Sequence, residues 1–109
     1  MKNFEKLCRR TLSTNYEVEL HCAVGCCTEA GELADAYKKA IWYNRDLNIQ
    51  NVKEEIGDIL WYLGVLCDEI DYSIEQAQLD VITKLEKRYP DKFKDVFDRN
   101  VAKELSHIK

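Results

Sequence analysis

Val52, Ile56, Ile59, Leu63, Leu66 and Ile70 stand alternately four and three residues apart. That spacing is the seam of an amphipathic helix and fits no strand. Asn51 reads as its N-cap, with Glu54 three residues on completing a capping box. A longer helix is expected before it, from Tyr16 to Tyr43, where Leu20, Val24, Cys27, Gly31, Ala34 and Ile41 recur at the same three- and four-residue steps. A short helix is expected over Asn3–Leu12, a loop over Arg45–Gln50, and a fourth helix from Ser73 to about Tyr89, with Ile74, Ala77, Val81 and Leu85 inward. Pro90, the only proline, should end it. A weaker helical tail covers about Asp98–Ile108. No period-two pattern stands out. The expected fold is all-α, one domain over residues 1–109, with a four-helix-bundle-type core completed by oligomerisation.

All four glycines, Gly25, Gly31, Gly57 and Gly64, fall inside expected helices. A helix-interior glycine costs ~1 kcal/mol against alanine. Close approach of another backbone or a ligand is a common reason to keep one.

Bulk composition narrows the function. A net charge of −4 lacks the basic stripe of a nucleic-acid binder. No stretch approaches the ~18 apolar residues of a membrane span, and no secretory leader is visible at the start. The expectation is a cytoplasmic protein that engages neither nucleic acid nor membrane. Its five cysteines are then reduced thiols, and the odd count speaks against a closed disulfide framework.

Glu29 and Glu32 are three apart on the second helix, and Glu55 and Asp58 three apart on the third. Each pair projects from one face. The Glu29/Glu32 face also carries His21, Gly25, Ala36, Lys39 and Tyr43, and lies opposite the Leu20/Val24/Cys27 row. If the two helices pack antiparallel, the pairs confront one another. Carboxylates on an inner face are costly unless neutralised, and a divalent cation would do it. An all-oxygen set suits Mg²⁺ or Mn²⁺ better than Zn²⁺, and Mg²⁺ so held usually completes its shell with substrate phosphates. The chemistry indicated is phosphoryl or nucleotidyl transfer to water.

Spacing alone does not single these acids out. Glu32/Asp35, Asp68/Asp71 and Asp95/Asp98 share it, as solvated helix faces often do. What favours the chosen pairs is their apolar setting and a glycine beside each second acid, Gly31 and Gly57. Cys22 and Cys26 have one zinc-like spacing without a second pair, so the thiols read as packing. Glu104 and His107 form a lone E-x-x-H on the polar tail. His21 is a rim or substrate residue, and Lys39 is placed to reach a phosphate. Trp42, Tyr43, Trp61 and Tyr62 are either core aromatics or a stack for a base, and Lys84 with Arg88 would suit a polyphosphate tail.

The segments HCAVGCCTEAGELADAYKKAIWYN, NVKEEIGDILWYLGVLCDEI and KLEKRYPDKF, in that order, resemble the MazG-like nucleotide pyrophosphohydrolases of the all-α NTP pyrophosphatase superfamily. The resemblance covers about residues 17–104. The family's E-x-x-E and E-x-x-D patterns fall on Glu29, Glu32, Glu55 and Asp58. The resemblance implies an Mg²⁺-dependent enzyme, with Mn²⁺ a substitute, that converts a (deoxy)nucleoside triphosphate and water to the monophosphate and pyrophosphate. It implies that the four acids hold metal, that Glu29 or Glu32 orients or deprotonates the water, and that the chain is a homodimer or homotetramer. Val81 stands where similar sequences often carry asparagine, and the DRN at 98–100 replaces a usual RD dipeptide. The first departure leaves open a non-catalytic helical oligomer that binds nucleotides or a protein partner; another substrate, a phosphoribosyl-nucleotide or an alarmone, is a further alternative.

Overall fold

The computed structural model describes residues 2–13 and 17–95. They form five helices: α1 (Phe4–Arg9), α2 (Val18–Trp42), α3 (Ile49–Glu69), α4 (Ile74–Arg88) and α5 (Pro90–Asp95). No strand occurs among the described residues, and the fold is all-α. The expected tail helix, Glu104, His107 and the DRN at 98–100 lie outside them. The chain divides into two compact units, Met1–Ile74 and Glu75–Lys109.

In the first unit α1 and α2 both pack on α3. The core is small: Cys8, Cys22 and Val65 are buried, with Phe4, Leu12, Val18, Trp61, Tyr62 and Leu66 packed around them. Two of the helical glycines admit a close neighbour, but it is a side chain rather than the backbone or ligand expected. A β-carbon on Gly64 would lie 2.8 Å from the Phe4 ring and 2.9 Å from Cys8 Sγ, so this glycine is the notch that seats α1. A β-carbon on Gly25 would enter the ring of Tyr62. Gly31 and Gly57 meet nothing within 4 Å.

Charge fastens α1 further. The largely buried Asp68 carboxylate takes Lys6 at 2.6 Å and Arg9 at 3.1 Å, and Arg9 also reaches Glu69 at 2.6 Å. The Lys6 bond is the chief reason Asp68 is held below the usual carboxylate range. Glu5 accepts the backbone N–H of Ile74 at 3.0 Å, so α1 also serves the first residue of α4.

Helix ends differ from expectation in two places: α1 stops at Arg9, short of Leu12, and α3 starts a turn early. The N-cap of α3 is Asn48, whose side chain accepts the Asn51 N–H at 3.0 Å, and not Asn51 itself. Asn48 and Asn51 are one turn apart, and the earlier asparagine adds a turn of helix. α3 closes in a Schellman turn: Tyr72 N–H reaches Cys67 O, and Asp71 takes the left-handed conformation usually left to glycine. Asn44 does the same after α2. Pro90, expected to end α4, also begins α5, where its missing N–H costs nothing.

The largest departure concerns α2. Its regular apolar row is not the inner one. Leu20 is 57% exposed, Val24 55% and Ile41 74%, and Cys27, Gly31 and Ala34 are exposed with them. The face turned inward carries Cys22, Gly25 and Ala36. On α3 the expected seam is also half open, with Ile56 and Ile70 exposed, while Glu55, Gly64, Val65 and Cys67 are buried. α4 has no buried residue, and Val81, expected inward, is exposed.

Candidate metal centre

Glu29 lies one turn after Gly25 on the inward face of α2, and Glu55 lies near the start of α3. Packing of these two helices brings Glu29, Glu32 and Glu55 together, each offering an oxygen within 4.8 Å of the others'. Asp58, one turn along α3 from Glu55, is outside this trio but close enough for its charge to act on Glu29. The paired faces read from sequence do confront one another, three acids tightly and the fourth at their edge.

The trio is electrostatically unfinished. Glu55 is only 8% exposed. Oε2 of Glu55 and Oε2 of Glu29 are buried with no hydrogen-bond partner. With all three ionised, no donor serves these atoms. A proton on Glu29 would bridge to Glu55, and that bond, then burial, raises the Glu29 carboxyl above its usual range, Glu32 working against them. Buried carboxylate oxygens without partners are rare in folded proteins, because each forfeits its hydration. A divalent cation would satisfy them, and hard ions prefer such an all-oxygen donor set.

Aromatic rings wall one side. Tyr62, one turn beyond Asp58, lies on Gly25 and meets His21 edge-on at 5.8 Å and Trp61 at 5.0 Å. Burial, then the charge of Glu29, pushes the Tyr62 hydroxyl above its usual range. The signal for this wall was in the chain: His21, Gly25 and Glu29 are successive turns of α2, and the glycine between two larger residues marks where a ring enters.

Within the first unit, two of the other expected substrate residues, Lys39 and Trp42, have their own surroundings. Lys39 pairs with Asp35 at 3.0 Å on the flank of α2. Trp42 is exposed, with Lys38 over its ring at 5.8 Å. Trp42, Lys38, Asp35, Ile41, Ala34 and Gly31 line a groove of about 490 Å³ on the outer side of α2. Lys84 and Arg88 are exposed residues of α4, in the second unit. The thiols do not join the acids. Cys22 and Cys67 are buried, Cys26 is half-buried, and burial pushes all three above the usual thiol range.

No helix among the described residues is long and apolar enough to cross a membrane. The family model described as the MazG nucleotide pyrophosphohydrolase domain matches residues 22–93, well over half of the chain. No curated protein and no solved structure gave a match.

Proposed function

As the chain belongs to the MazG nucleotide pyrophosphohydrolase family, we propose that it hydrolyses (deoxy)nucleoside triphosphates to the monophosphate and pyrophosphate, in nucleotide-pool control or housecleaning. The observation that carries the metal dependence is the pair of buried, unpartnered oxygens on Glu29 and Glu55 beside Glu32. Glu29, Glu32, Glu55 and Asp58 hold one or more Mg²⁺ ions, for which Mn²⁺ can substitute. Bound Mg²⁺ supplies charge neutralisation for the phosphates and for the pyrophosphate that leaves.

The remaining chemistry belongs to the chain. Water attacks the α-phosphorus, a new P–O bond forms, and the α–β bridging bond breaks with its electrons going to pyrophosphate. Glu29 or Glu32 orients the water and takes its proton. In this reading His21 contacts the substrate, Lys39 reaches a phosphate, Trp42 stacks on the base, and Lys84 with Arg88 takes a polyphosphate tail.

Residues 1–109 act as a single domain in this reading, in the cytoplasm, where five free thiols would persist. The uncovered apolar row of α2 supports a homodimer or homotetramer in which a second copy covers it. The test is pyrophosphate release from common and modified (deoxy)nucleoside triphosphates with Mg²⁺, with Mn²⁺ and with chelator. Metal-dependent release of both products is expected. No turnover of any triphosphate would overturn the proposal and favour a binding-only role or another substrate class.

A further inference from the structure

We propose that Thr11, through Trp61 and Tyr62, is a positioning residue for the carboxylate centre. The proposal rests on reading that centre as a metal site. Thr11 lies outside the matched residues 22–93 and far from the acids in sequence. Its hydroxyl donates to Cys8 O at 3.0 Å and accepts from Trp61 Nε1 at 2.7 Å. Its one hydrogen is thus committed to the end of α1, which leaves a lone pair aimed at the indole.

Trp61 in turn meets Tyr62 edge-on, with ring centres 5.0 Å apart and planes at 87°. On α2, Tyr62 is seated on Gly25 and against His21. The Tyr62 ring is therefore gripped between the indole and α2. Gly25 is one turn before Glu29, and Tyr62 is one turn after Asp58. How deeply this ring sits sets the separation of α2 and α3 just where their acids must converge. α1, anchored by Asp68 and by the Gly64 notch, is the fixed point from which Thr11 holds the indole.

The test compares Thr11→Val, which removes the acceptor, with Thr11→Ser, which keeps it, in the full chain. Mn²⁺ binding is measured by electron paramagnetic resonance, and the Trp61 indole N–H by NMR. Thr11→Val should shift the indole resonance and weaken Mn²⁺ binding about fivefold, the worth of one net hydrogen bond, while Thr11→Ser should match wild type. Trp61→Phe keeps a ring against Tyr62 but loses the N–H. It should cost a similar factor, and the double variant no more than either single one. Additive losses, or Mn²⁺ binding by Thr11→Val equal to wild type, would overturn the proposal. Failure of wild type itself to bind Mn²⁺ would bring down the metal reading as well, and so is told apart from equal binding by the variants.

Discussion

The ring of Tyr62 rests on Gly25, in the space that a β-carbon at that position would fill. Gly25→Ala should therefore destabilise. Overpacking costs about 1–3 kcal/mol and outweighs the ~1 kcal/mol that alanine gains in a helix interior. Gly57→Ala, with open space around it, should instead stabilise by up to ~1 kcal/mol. Denaturant melts of the two variants should move in opposite directions, and a shared direction would refute the Tyr62 seat.

Glu55→Gln should lower turnover on the order of 100-fold or more and abolish tight Mn²⁺ binding. The metal-free protein should at the same time melt higher, because one of three crowded carboxylates, and one of the two with a buried partnerless oxygen, loses its charge. A variant that loses activity and melts lower would mean that Glu55 holds the fold rather than a cation.

Glu29 carries a pH signature. Its carboxyl is raised in the folded chain, chiefly by the bond to Glu55. A raised acid binds its proton more tightly when folded, so its contribution to metal-free stability is present below the ordinary glutamate range and lost as pH rises through the raised value. Metal competes with that proton, so Mn²⁺ affinity should fall as pH drops into the same window. Glu29→Gln should flatten the metal-free stability profile there, and an unchanged profile would contradict the assignment.

Asp68 has the opposite sign. Its carboxyl is lowered, first by Lys6. Its stabilising effect is present above the ordinary aspartate range and is lost as pH falls through the lowered value. Asp68→Asn should cost about 1–2 kcal/mol at neutral pH, with the penalty vanishing in strong acid. Pace and extent are read by urea melts across the acid range; a penalty constant with pH would argue against the ion pairs.

The outer row of α2 should be a contact between copies. Val24→Asp with Ile41→Asp, at two exposed positions, should convert an oligomer to monomer in sedimentation while helix content stays. A wild-type chain that sediments as a monomer at micromolar concentration would refute this.

The helices α1 to α4 were legible in the chain, though α5 was not, because helix periodicity is local: spacing tells which residues share a face. The same rule placed Glu29 with Glu32, and Glu55 with Asp58, before any coordinates. It could not tell which faces meet. α2 is apolar on two sides, and hydrophobic burial is non-directional, so periodicity alone did not reveal that the regular Leu20–Ile41 row would stay outside while Cys22, Gly25 and Ala36 went in. Likewise Asn48 and Asn51 are one turn apart and either can cap; in the structure Asn48 does. Only tertiary structure joined Thr11 to Trp61 across fifty residues and brought three acids together with the fourth at the edge. Those are distances between helices, and they are decided by the volumes that pack between them, here the ring of Tyr62 on a glycine.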